Sequence, residues 1–133
     1  MDREEVINIV ESLNFSKGEY YITGEAALVL YDIRKYCDSI NLYVSEDLFQ
    51  ELKDAGRINH NRVDEAGFYQ IADEVAVAVR NKKKFEVRME SGFPLQTLKS
   101  IVLWKRDRNE SQDQNDLIKI EEYTKKHNIK LGI

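Results

Sequence analysis

A glycine at a strand-to-helix turn lets backbone amides approach a phosphate, and carboxylates gathered at strand ends can hold a hard divalent cation. The 133-residue chain carries residue types for both. Gly24 follows the aromatic run Tyr20-Tyr21-Ile22 and leads into the apolar stretch Ala26 to Tyr31. Asp38 stands just before a second β-branched run, and Asp73 and Glu74 stand just before a third. Arg34, Lys35 and Lys105 are basic residues that could meet phosphate, with ordinary solvated positions as the plainer reading. Other chemistries find little support. Cys37 is the single cysteine, which excludes an internal disulfide and any zinc site built from several thiolates. No histidine lies near it in sequence to activate a thiolate, so it reads as a small residue beside a strand. His60 and His127 are too far apart for a local metal motif and read as surface residues.

The elements that must position these residues can be read from periodicity. Asp2 and Glu5 form a capping-box pattern, and Val6, Val10 and Leu13 then recur at helical spacing up to Leu13. Tyr20 to Ile22 reads as a strand, Glu25 to Tyr31 as a mostly buried helix, and Ser39 to Val44 as a second strand. Ser45 caps a third helix with Leu48, Phe49 and Leu52 on its apolar face, and Gly56 ends it. Phe68 to Ile71 and Val75 to Val79 read as strands, the latter apolar on both faces and so expected to be covered on both sides. A polar turn at 81–84 leads into a strand at Phe85 to Met89, and Gly92 with the lone proline, Pro94, predicts a loop. Thr97 opens a helix carrying Leu98, Ile101, Val102 and a core Trp104. A last helix from Asp113 to His127 turns Leu117, Ile118, Ile120 and Tyr123 inward, with Asp113 as its cap.

The order implies one α/β (α+β) domain over residues 1–133, a mixed sheet of about five strands with two C-terminal helices. Hydrophobic residues make up 42% and charged residues 33%, the profile of a globular protein. Twenty basic against twenty-four acidic residues leave a net charge of −4, so no global field draws nucleic acid or an anionic membrane. The run from Arg80 to Lys84 reads as a solvated hairpin tip rather than a nucleic-acid contact. The longest apolar run, Ala26 to Tyr31, is too short to cross a bilayer, and Asp2, Arg3, Glu4 and Glu5 stand where a signal peptide would be apolar. A cytoplasmic setting is expected.

The segment from Tyr21 through Thr23-Gly24-Glu25 to Asp38-Ser39-Ile40-Asn41 and Val44 resembles the small nucleotidyltransferase-fold proteins of the minimal nucleotidyltransferase and abortive-infection toxin type. Trp104-Lys105, followed by Gln112-Asp113-Gln-Asn-Asp116-Leu117, extends the resemblance over nearly the whole chain. It implies a glycine turn facing phosphates, an Asp-x-Asp pair on the following strand holding divalent metal, and transfer of a nucleotidyl group from a metal-bound triphosphate. Carboxylates two apart on a strand share a face, which is why that spacing serves a metal.

At the matching positions this chain has Ser39 and Asn41, neither of them anionic. Ala76 or Ala78 stands where a third carboxylate is implied, Glu25 replaces a small residue of the glycine turn, and Gln112 replaces a lysine. A degenerate site is therefore expected: Gly24, Glu25, Ser39, Asn41, Gln112 and Asp113 in family-equivalent positions, with Arg34, Lys35 and Lys105 as inherited phosphate contacts. No metal or other cofactor is expected, and the ligand is a protein partner or a weakly bound nucleotide. The alternative is an active enzyme that binds Mg²⁺ and a nucleoside triphosphate through a rearranged set, Asp38 with one of Asp73, Glu74 or Asp113. Asp38 sits one residue off the required alternation, which places it on the opposite strand face unless a bulge intervenes.

Overall fold

The computed structural model describes residues 1–80 and 85–133. The polar turn at 81–84, with its lysines, lies outside the described residues. Among the described residues, five α-helices and six strands follow one another. They are α1 (Arg3–Leu13), β1 (Tyr20–Thr23), α2 (Gly24–Leu30), β2 (Ile40–Val44), α3 (Glu46–Asp54), β3 (Tyr69–Ala72), β4 (Val75–Val79), β5 (Val87–Glu90), β6 (Phe93–Gln96), α4 (Leu98–Arg108) and α5 (Gln114–Lys126).

Local chemistry sets the helix starts. Asp2 and Glu5 complete the capping box on α1, Ser45 accepts from the Leu48 amide, and Thr97 accepts from the Ser100 amide. Each satisfies an amide that the first helical turn leaves without a partner.

The strands form one mixed sheet in the order β3-β4-β2-β1-β6-β5. β1 runs antiparallel to β2 and parallel to β6, while β2 runs parallel to β4. Ile22, Ile40, Leu42, Val44, Val75, Val77 and Leu95 are buried in one hydrophobic cluster. Val6 and Val10 of α1, Ala26 to Leu30 of α2, Leu48 and Leu52 of α3, Ile101 of α4 and Ile120 of α5 belong to the same cluster. Side chains alternate along each strand. The opposite face of β1, β2 and β4 therefore carries Tyr21, Thr23, Asn41, Tyr43, Ala76 and Ala78. Tyr21, Tyr43, Phe68 and Phe85 join there into an aromatic group, with ring centroids 5.1 to 5.9 Å from Tyr43.

The α+β class and the two C-terminal helices agree with the sequence. Four details differ. The sheet has six strands, because Phe93–Gln96 pairs with both β1 and β5 where Gly92 and Pro94 predicted a loop. Ser91 and Gly92, both at positive φ, form a two-residue hairpin turn closed by Glu90 and Phe93. Alternation from that bonded pair puts Pro94 opposite Met89 at a non-bonded position, where its missing N–H costs the hairpin nothing. β4 is paired on both sides, yet Ala76 remains partly exposed, so one face is not fully covered. Trp104 is only half-buried and Ile118 is 52% exposed, whereas Lys105 and Asp116 turn inward in their place. Asp113 precedes α5 but makes no capping hydrogen bond.

Candidate functional site

β1 ends, and β2 and β4 begin, at the same end of the sheet, so the turns flanking them converge. Asn41 pairs with Thr23 on one side and with Ala76 on the other, which puts these three residues in a row on the open face. Around Asn41 and Ala76 of that row lies a pocket of about 420 Å³ whose lining also includes Asp38, Ser39, Asp73 and Glu74. β2 starts at Ile40, so strict alternation does not reach back to residues 38 and 39, and both line the pocket.

Sequence reasoning missed Arg62 and Asp64, which complete the rim from the long connection before β3. Asp64 shapes that connection by accepting from the amides of Ala66 and Phe68, both at 2.9 Å. A side chain accepting from an amide two residues on is the usual mark of such a turn. The signal lay in Asp64-Glu65-Ala66-Gly67, a turn sequence with no strand of its own.

Gly24 begins α2 with φ +66°, a conformation that glycine adopts without the strain a side chain would bring. Glu25 follows at the helix N-terminus, where the dipole favours an anion. Its carboxylate accepts from the Asp38 amide at 3.3 Å and pairs with Arg34 at 3.4 Å. Arg34 also reaches Asp116 at 3.3 Å, and Asp116 lies 3.4 Å from the Lys105 ammonium. Lys105, 6% exposed, bonds Asp113 at 2.8 Å, and Arg108 grips the same carboxylate. Those bonds hold the Asp113 carboxyl below its usual range, Arg108 contributing most. The Arg108 guanidinium also stacks 4.1 Å above the Trp104 ring, which accounts for the half-exposed indole. Three carboxylates and three cations thus form one chain from Glu25 to Arg108. Beside it, the buried Thr23 hydroxyl donates to Gln96, whose amide donates to Ser100.

The structure therefore divides the residues singled out by sequence. Gly24, Glu25, Asp38, Ser39, Asn41, Asp73 and Glu74 come together around the strand ends. Arg34 and Lys105 are neither free surface cations nor open phosphate contacts, because carboxylates engage both. Lys35 lines a different pocket, with Tyr36, Lys119 and Lys126. Gln112 is exposed and bonds Glu110. Cys37 is buried and its thiol is pushed up in pKa by burial, as befits a small residue packed beside β2. Met1 and Cys37 exchange backbone hydrogen bonds, tying the first residue to this loop.

Magnesium requires anionic oxygens in near-octahedral array. An amide at Asn41, a hydroxyl at Ser39 and a methyl at Ala76 do not fit it. Among the described residues no three His, Cys, Asp or Glu side chains group closely enough to hold a metal ion. No helix among them is long and apolar enough to cross a membrane.

No protein-family model and no curated protein matches this chain. A solved structure, that of JHP933 from Helicobacter pylori, is similar over 77% of this chain at 20% sequence identity, with a TM-score of 0.47. The similarity spans 54% of the JHP933 chain, about half its length.

Proposed function

We propose that this chain is a nucleotidyltransferase-like protein without transfer activity, serving as a binding or regulatory module through the pocket around Asn41. The observation that carries this reading is the row Thr23, Asn41, Ala76: the positions that the sequence resemblance assigns to metal ligands bear an amide and a methyl group. Phosphate would also find its cationic partners engaged, since Arg34 and Lys105 are held by Glu25, Asp113 and Asp116. Among the described residues that line the pocket, Asp38, Asp64, Asp73 and Glu74 stand against the cation Arg62. That balance opposes a triphosphate and favours a protein partner over a nucleotide. A cytoplasmic setting goes with the reading, and the buried, unpaired Cys37 is at ease in a reducing one.

The test is incubation with labelled nucleoside triphosphates, Mg²⁺ or Mn²⁺, and host lysate. No label should pass to protein or RNA above the level of a heat-denatured control. Metal-dependent transfer would defeat the proposal. A second reading, active transfer through a rearranged carboxylate set, draws on one observation: Asp38, Asp73 and Glu74 line the same pocket as Asn41. It requires that transfer be found and that Asp38→Asn or Asp73→Asn abolish it.

A further inference from the structure

The sheet has two edges, and they are treated differently. β3 is shielded: Val63 bridges to Tyr69, the Gln70 amide donates to the Arg62 carbonyl, and the register shifts between Gln70 and Ala72. Cover and irregularity of this kind block further pairing. β5 stands last in the strand order with a regular ladder to β6, and nothing among the described residues pairs with its outer side.

Alternation fixes which backbone groups face outward. The two-residue turn makes Glu90–Phe93 a bonded pair, so Arg88–Leu95 is the next one. The Thr97 amide donates to the Glu86 carbonyl at 2.9 Å, in the same phase. Val87 and Met89 therefore point their N–H and C=O groups away from the sheet. Their side chains are exposed as well, at 40% and 52%.

We propose that β5 pairs with β5 of a second copy of this chain, antiparallel and centred on Met89, joining two sheets across a twofold axis. Charge complementarity selects the occupant, and the extent of β5 selects the register: centring on Val87 would also oppose Glu86 and Arg88, but Glu86 precedes the strand, whereas Arg88, Met89 and Glu90 all lie within it. With Met89 opposite its symmetry mate, Arg88 of each copy faces Glu90 of the other, and the outward backbone groups of Met89 form the central bonded pair. Centring on Arg88 instead sets Arg88 against Arg88 and Glu86 against Glu90, which are all like charges. Charged residues on an edge strand usually oppose pairing. Opposite charges two positions apart, flanking an outward-facing residue, make this edge complementary to itself.

Sedimentation equilibrium of the full chain from about 10 µM to about 1 mM tests the proposal. The mass should rise with concentration from 15.6 kDa toward twice that value. Arg88→Glu and Glu90→Arg each place like charges across the seam and should weaken association roughly tenfold. Combined in one chain they restore opposite pairs and should recover it. Met89→Pro removes an outward N–H that the fold does not use, and should leave a monomer with unaltered circular dichroism. A wild-type chain that stays monomeric at the highest concentration overturns the proposal. So does a double variant that associates no better than the single ones, or a dimer that survives Met89→Pro. If Met89→Pro alters the dichroism, the charge-swap set decides alone.

Discussion

Replacing Asp113 by Asn should destabilise the fold by about 3 kcal/mol, and removing Lys105 along with it should restore most of that loss. Lys105 and Asp113 are 6% and 2% exposed, and their charged atoms lie 2.8 Å apart. Breaking one side of a buried pair strands the other charge without water, at a cost of about 3–5 kcal/mol. The lower end applies here, because Asp116 remains 3.4 Å from the Lys105 ammonium. Arg108, the other partner of Asp113, has a side chain 30% exposed and can turn to solvent. Lys105→Met with Asp113→Leu removes both charges and fills similar volume, a change that is often neutral for buried pairs. Urea denaturation followed by circular dichroism reads the difference directly, and a thermal scan of Asp113→Asn should show a fall of roughly 10 °C. A single variant within about 1 kcal/mol of wild type would refute the reasoning, as would a double variant no more stable than the single. Either result would return Lys105 to the pool of cations available for a ligand.

Three further outcomes follow from the same geometry. The Asp113 carboxyl titrates below its unfolded value of about 4, so its stabilising contribution is complete above that pH and is lost as pH falls through the depressed folded value. The stability gap between wild type and Asp113→Asn should accordingly narrow only below about pH 4 in denaturation series, and a gap that closes near neutrality contradicts the assignment. Gly24→Ala should cost about 1 kcal/mol in the same urea assay, because φ is +66° while a Cβ there meets nothing within 4 Å; no loss at all would mean that the turn relaxes. Cys37 is 2% exposed with a raised thiol pKa, so an aromatic disulfide reagent at about pH 8 should label it only at the rate of unfolding, and labelling within seconds would contradict its burial.

Much of the fold was legible because local rules and tertiary demands agree. Asp2, Ser45 and Thr97 cap helices where their side chains meet free amides, and Ala26 to Leu30 is apolar because α2 is buried among its neighbours. β6 was hidden because Gly92 and Pro94 normally break strands, and the phase of the hairpin ladder is what spares the pairing with β5 from that proline. Trp104 and Lys105 were exchanged for a similar reason. Hydrophobicity puts the indole inside, whereas Asp113 and Asp116 on the following segment draw the ammonium in and Arg108 covers the ring from without. Asp38, read by strand alternation, stands two residues before the strand begins, outside the reach of that rule. The replacements at Ser39, Asn41 and Ala76 were visible in sequence, but the row that Asn41 and Ala76 form with Thr23, and the Arg62–Asp64 rim of the pocket, required the sheet register and the fold of the connection before β3.

On the proposed reading, the pocket at the strand ends lacks the grip that a metal-bound triphosphate needs. Isothermal calorimetry of the full chain with each of the four nucleoside triphosphates and Mn²⁺, up to about 1 mM ligand, addresses that claim most directly. No metal-dependent heat should appear. Saturable binding that requires Mn²⁺ and disappears in Asp38→Asn or Asp73→Asn would contradict it.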